Sequence, residues 1–121
     1  MTAIRVLVVD DDVVIGQLLA EMLTGMGCDI CGVEASEADA VAAAARYRPD
    51  LIIIDAQLGN GSGAAAIAQI QRDRVVPHVF ISGDISGLRT MTPGSIVLQK
   101  PFHEAQLTRA IERAIGAPIA A

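Results

Sequence analysis

Leu51-Ile52-Ile53-Ile54 is an unbroken apolar run that stops at Asp55. Ile4-Arg5-Val6-Leu7-Val8-Val9 is a β-branched run that stops at Asp10-Asp11-Asp12, and Val79-Phe80-Ile81 stops at Ser82. A strand with one face in water alternates apolar and polar residues, whereas these are apolar along their length. They read as strands buried on both faces, which means a parallel sheet with helices on each side.

The intervening segments supply those helices. Ile15, Leu18, Leu19, Met22, Leu23 and Met26 recur at the spacing of an amphipathic helix, closed by Gly25 and Gly27. Cys28 to Val33 is a second strand. Ser36 is a good N-cap for an alanine-rich helix that runs to about Tyr47 and is stopped by Pro49. Gly59-Asn60-Gly61-Ser62-Gly63 reads as a loop before a helix through Ile67, Ile70 and Gln71. Ile96-Val97-Leu98-Gln99 is the fifth strand, and Lys100-Pro101-Phe102 leads into a last helix striped by Leu107, Ala110, Ile111, Ala114 and Ile115. Gly83 to Ser95 is glycine-rich and weakly periodic, so a helix there is short or absent. The alternation predicts an α/β fold, a doubly wound five-stranded parallel sheet with helices on both faces, as a single domain over residues 1–121.

Composition narrows the function. Apolar types make up 52% and charged types 19%, which excludes a disordered chain. A net charge of −5 argues against direct nucleic-acid binding, and 2% aromatics excludes a stacking platform for single strands. No apolar run approaches the ~20 residues of a membrane span, and the N-terminus lacks a signal-peptide pattern, so a cytoplasmic protein is expected. Cys28 and Cys31 have redox or zinc spacing. However, in a strand they point to opposite faces, and the histidines, His78 and His103, are distant in sequence. They read as two reduced thiols in a buried strand.

In open α/β sheets ligands bind beyond the carboxyl ends of the strands. Those ends carry Asp10, Asp11 and Asp12 on strand one, Asp55 on strand three, Ser82 on strand four and Lys100 on strand five. Two carboxylates ~5 Å apart repel by roughly 3 kcal/mol at an effective dielectric near 20. Asp10, Asp11 and Asp55 with Lys100 leave an excess of negative charge that a divalent cation neutralises, and carboxylate oxygens suit Mg²⁺. Aspartates stand where a phosphate-binding glycine loop would follow strand one, which disfavours a nucleotide or flavin site.

Val8-Val9-Asp10-Asp11, Asp55 after an apolar strand, Ser82-Gly83 and Lys100-Pro101-Phe102, in this order and spacing, resemble the receiver domain of two-component response regulators. The resemblance runs from Val6 to Ile115. It implies strand order 2-1-3-4-5, with Asp55 as phosphoacceptor. Asp11 would bind Mg²⁺ directly and Asp10 largely through water, with the backbone carbonyl of Gln57 as a further ligand. Ser82 would hydrogen-bond the phosphoryl group and Lys100 would pair with it. Gly63 matches the glycine opening the third helix, and the bond before Pro101 is commonly cis. The implied function is a signalling switch or phosphorelay carrier. Its partners would be a sensor histidine kinase or histidine phosphotransferase and a downstream protein target. The domain would catalyse its own phosphorylation and dephosphorylation without being an enzyme in the ordinary sense.

The chain departs from the common pattern at Val97, where an aromatic switch residue usually stands, and at Gly59, often proline. Pro77-His78-Val79-Phe80-Ile81-Ser82-Gly83 is similar to a receiver subgroup with a P-F-x-F-A-T-G signature, which implies an altered, mobile fourth-helix region; with three glycines in Gly83–Gly94, an ordering of that segment around the phosphoryl group is the expected signal. Asp84 would tune access of water to the acyl phosphate, His103 starts the last helix, Arg89 is a surface residue, and Asp12 caps the first helix. Two alternatives stand beside this reading. One is a pseudo-receiver that binds partners without phosphorylation. The other is a haloacid-dehalogenase-type phosphatase with Asp10 as nucleophile and Asp12 as general acid/base, which leaves Asp55 without a role.

Overall fold

A computed structural model describes residues 3–84 and 94–119. Along the chain come β1 (Arg5–Val9), α1 (Val13–Gly25), β2 (Asp29–Glu34), α2 (Glu37–Tyr47), β3 (Leu51–Asp55), β4 (Gln57–Leu58), β5 (Gly61–Ser62), α3 (Gly63–Gln71), β6 (His78–Ser82), β7 (Val97–Gln99) and α4 (Glu104–Ile115). Five strands form one all-parallel sheet in the order β2-β1-β3-β6-β7. With the small β4–β5 ribbon set aside, this is the expected 2-1-3-4-5. The expected short or absent helix and phosphorylation-ordered segment at Gly83–Gly94, with Arg89, fall largely on residues 85–93, outside the described residues.

The pleat divides each apolar strand between two cores. Leu7, Val9, Ile52, Ile54 and Phe80 face Ala40, Ala43 and Ala44 of α2 and Ala66, Ile67 and Ile70 of α3. Val6, Val8, Leu51, Ile53, Val79 and Ile81 face Leu19 and Leu23 of α1 and Leu107, Ala110 and Ile111 of α4. Consecutive residues thus serve opposite faces, which is why these strands show no polar alternation.

Each helix starts on a side-chain cap. The Asp12 carboxylate accepts from the N–H groups of Val14 and Ile15, and Ser36 and Ser62 accept from Asp39 N and Ala65 N. His103 accepts from Gln106 N while the Gln106 side chain accepts from His103 N, a reciprocal capping box. α2 ends at Tyr47 as expected, and Arg48, left-handed at φ 49°, caps it ahead of Pro49. Among the described residues no helix is long and apolar enough to cross a membrane.

Two expectations need correction. β2 lies at the sheet edge, so Ile30–Glu34 are half-buried rather than buried. A register shift between Val6 and Leu7 leaves Cys31 as an extra residue on β2, a bulge of the kind common at edges. Cys28 is buried against the α1 side and Cys31 packs against the α2 side, so the thiols cannot pair. Burial raises the pKa of both, which makes them poor nucleophiles. The second correction concerns α1: Leu18, read as part of its buried stripe, is 56% exposed, alongside Val13 and Val14 at 68% and 67%.

Gly63 is fixed by contact. A Cβ there would lie 2.3 Å from the Asp55 carbonyl oxygen, a backbone atom that has no room to retreat. Gly63→Ala therefore forces α3 away from β3. The expected cost is about 3 kcal/mol of folding stability by urea titration, the upper part of the range for overpacking; a loss below about 1 kcal/mol would show that α3 shifts freely.

Candidate functional site

Sheet connectivity runs outward in both directions from the boundary between β1 and β3. At that switch point the flanking loops diverge and a crevice opens at the carboxyl ends of the strands. Asp10 and Asp11 follow β1, Asp55 ends β3, Ser82 ends β6 and Lys100 follows β7. Parallel pairing in register brings these chain-distant positions to one rim.

One oxygen each from Asp10, Asp11 and Asp55 lie within 4.8 Å of one another. The Lys100 Nζ donates to Asp55 Oδ2 at 2.8 Å and to Asp10 Oδ2 at 3.3 Å. Backbone N–H groups fix the remaining orientations: Asp12 N donates to Asp10 Oδ1 at 2.8 Å, Gln57 N to Asp55 Oδ1 at 3.0 Å and Gly59 N to Asp11 Oδ2 at 3.0 Å. Asp10 and Asp55 are buried and Asp11 is exposed. The rim is thus dry on its inner side and open to water beside Asp11.

Burial raises the Asp10 carboxyl above its ordinary pKa, and the charge on Asp55 adds to the rise; the hydrogen bond from Asp12 N and the Lys100 charge offset part of it. Burial also disfavours the charged form of Lys100. The hydrogen bond and charge of Asp55, then those of Asp10, outweigh it, and the Lys100 pKa is raised. The lysine is therefore cationic at neutral pH.

Four of the expected residues, Asp10, Asp11, Asp55 and Lys100, form one cluster. Ser82 is buried on the neighbouring strand end, but its hydroxyl donates to the Asp84 carbonyl at 2.8 Å and accepts from Asp84 N at 3.0 Å. Gln57 joins through its backbone N–H to Asp55. Asp12 is committed to capping α1 and stands outside the cluster, so the Asp10/Asp12 pair of the phosphatase alternative gains no support. Lys100 and Pro101 are joined by a cis peptide bond, and Val97 is half-buried against the α2–α3 side core.

The sequence reading missed the ribbon. Where a plain loop is expected at Gly59–Gly63, β4 and β5 pair antiparallel, Gln57 with Ser62 and Leu58 with Gly61. Gly59 and Asn60 form the two-residue turn, with Gly59 at φ 59°, a conformation that favours glycine at the first turn position. The Gly-Asn pair was the available signal. Leu58 is buried in the core, and Glu37 Oε1 accepts from Ser62 N at 3.0 Å. No periodicity in the sequence points to that last contact.

Similar proteins carry the same arrangement of chain. Residues 6–112 match the response regulator receiver domain. The chain is 32% identical over 116 residues to the transcriptional regulatory protein PdtaR of Mycobacterium tuberculosis, covering 93% of this chain and 57% of PdtaR. It is 29% identical over 117 residues to the phyllosphere-induced regulator PhyR of Methylorubrum extorquens, covering 93% and 44%. It therefore spans about half the length of these relatives. The solution structure of the PhyR response regulator REC domain from Erythrobacter litoralis superposes with a TM-score of 0.87 at 29% identity, covering 100% of this chain and 96% of that one. A response regulator receiver protein from Sinorhizobium medicae gives 0.83 at 27%, covering 95% and 96%. With the match extending from β1 into α4, this chain belongs to the response regulator receiver domain family.

Proposed function

We propose that the chain is a phosphorylation switch or phosphorelay carrier in which Asp55 accepts a phosphoryl group from a phosphohistidine on a sensor kinase or histidine phosphotransferase. The observation that carries this is the Lys100 ammonium group shared between Asp55 and Asp10, with Asp11 beside them. A carboxylate oxygen of Asp55 forms the new P–O bond, the P–N bond of the donor breaks, and the electron pair leaves with the imidazole nitrogen, which takes up a proton. Lys100 neutralises charge on the transferring group, and the backbone contacts hold Asp55 in place for in-line attack. Water later attacks the acyl phosphate and resets Asp55, with Asp84 near its path. Ser82 becomes a donor to the phosphoryl group by exchanging its bond to Asp84.

The donor set fits Mg²⁺. It offers oxygen ligands alone, its one ammonium group leaves a net two negative charges, and exposed Asp11 leaves space for retained waters. Asp11, Asp55 and the Gln57 carbonyl would hold the ion, with Asp10 contributing through water. When bound, the ion supplies positive charge against the phosphoryl oxygens.

The donor is a protein, so it must cover the rim. Exposed Val13, Val14 and Leu18 on the first turns of α1 provide an apolar contact. Beside them lies a groove of about 290 Å³ between α1 and the Lys100–Phe102 segment. A downstream protein target completes the reading. The regulator names of PdtaR and PhyR support a signalling role.

Asp55→Asn is expected to abolish labelling by acetyl phosphate, read by phosphate-affinity electrophoresis and mass mapping. A phosphoryl group found on Asp10 would sink this reading in favour of the phosphatase one. Leu18→Arg is expected to slow transfer from a cognate phosphohistidine protein at least about tenfold, the size of a central interface residue, while leaving acetyl phosphate labelling intact. Equal slowing of both reactions would mean that Leu18 acts on the site and not on docking.

Asp10 also gives a stability prediction. Its folded-state pKa is raised, so the native state binds the proton more tightly than the unfolded chain. The stability this contributes is present below the unfolded value of 3.8 and is lost as pH rises through the folded value. Asp10→Asn removes the ionised form. At neutral pH with chelator it should melt a few degrees above the parent, the size of a ~1 kcal/mol change, and the difference should close as pH falls into the carboxylate range. The same variant should lose the Mg²⁺-dependent rise in Tm; a parent-like rise would remove Asp10 from the metal site.

A further inference from the structure

We infer that Glu37 is a positioning residue for the acidic rim: from the start of α2 it pins the β4–β5 ribbon, and through it the Gln57 backbone and the Gly59 N–H that face Asp55 and Asp11. This rests on the metal-binding reading above and extends it to a residue on a helix outside the cluster. The contact joins positions 25 apart, with Glu37 Oε1 accepting from Ser62 N at 3.0 Å. Ser62 is the cross-strand partner of Gln57, and Gln57 N donates to Asp55 Oδ1. At the far end of the ribbon, Gly59 N donates to Asp11 Oδ2. A displacement of Ser62 therefore reaches Asp55 through its partner Gln57, and a shift of the whole ribbon reaches Asp11 through Gly59.

Gly61 is the independent sign that the fit is close. A Cβ at that position would stand 2.6 Å from Glu37 Oε1 and 3.0 Å from Glu37 Cβ. Its backbone is not in the left-handed region, so the crowding at this position comes from Glu37 and not from the turn, and a side chain here would push Oε1 off Ser62 N. An acid in a first helical turn already interacts favourably with the helix dipole when it points to water. Glu37 is half-buried and directs Oε1 at the ribbon instead. Ser36 caps α2 with its own hydroxyl, so the helix does not need this glutamate as a cap. At the other end of β5, the Ser62 hydroxyl accepts from Ala65 N and Gly63 N donates to the Ala56 carbonyl. The ribbon is held at its stem by α3, at its middle by Leu58 in the core, and on its outer strand by Glu37. Groups that orient a metal's ligands without touching the ion commonly set its affinity.

The test is calorimetric titration of the full chain with MgCl₂, with melting curves to confirm folding. Glu37→Ala is expected to weaken Mg²⁺ binding about tenfold, as loss of an orienting partner does. Glu37→Gln keeps an oxygen for Ser62 N and should bind within about twofold of the parent. Gly61→Ala should weaken binding in the parent and change little when Glu37 is already alanine. Parent-like affinity in Glu37→Ala overturns the inference, and so does a Glu37→Gln as weak as Glu37→Ala, which would assign the effect to charge. Should Glu37→Ala fail to fold, parent-like binding by Gly61→Ala overturns it instead. Failure of the underlying reading looks different: the parent itself then binds no Mg²⁺, or Asp11→Asn binds it as the parent does.

Discussion

One ammonium group stands among three carboxylates, and the chemistry of the rim depends on how that imbalance is held in place. Lys100 reaches two of the three and leaves Asp11 to the ribbon. Each carboxylate also takes one backbone N–H. For Asp10 and Asp55 the donor lies two positions downstream, the local turn geometry that aspartate favours. One oxygen is thereby anchored on each side chain, and the cluster keeps its shape despite repulsion. On the proposed reading, a pocket held this way is oriented before a divalent cation or a phosphoryl donor arrives.

The sheet supplies the rigidity. Because β1, β3 and β6 are buried on both faces, their ends cannot slide without exposing two cores. Register therefore passes directly into the positions of Asp10, Asp55 and Ser82. The apolar strands and the acidic rim are one device, in which a two-sided hydrophobic sandwich sets the spacing of charged groups at its edge.

This is also why the rim was legible in the sequence. Strand ends are marked by an abrupt change from Ile or Val to Asp, and a parallel sheet brings such ends together, so Asp10, Asp55 and Lys100 could be grouped without coordinates. Helix starts were legible for a similar reason, since Asp12, Ser36 and His103 act on backbone a turn away. The features that escaped depend on contacts between distant segments. Glu37 and Gly61 look unremarkable apart; they matter because α2 and the ribbon cross there. Leu18 fits the helical stripe of α1, but that stripe is wider than the face the sheet can cover, and Leu18 is left outside with Val13 and Val14. Cys31 sits at a bulge that the sequence does not announce.

Phosphorylation would add charge to a rim that is already negative, and the response must begin with groups that can change partners. Val97 carries no ring that could turn inward. The Ser82 hydroxyl has one proton, and it goes to the Asp84 carbonyl. On the proposed reading, donating that proton to a phosphoryl oxygen on Asp55 requires breaking the bond to Asp84. The hydroxyl also accepts from Asp84 N, so the same rotation would disturb both of these Ser82–Asp84 hydrogen bonds. Lys100 is tied to this strand end as well, because its backbone N–H donates to the Ser82 carbonyl at 2.9 Å. On that reading, the exchange at Ser82 would link the state of Asp55 to the Ser82–Asp84 turn without any aromatic switch.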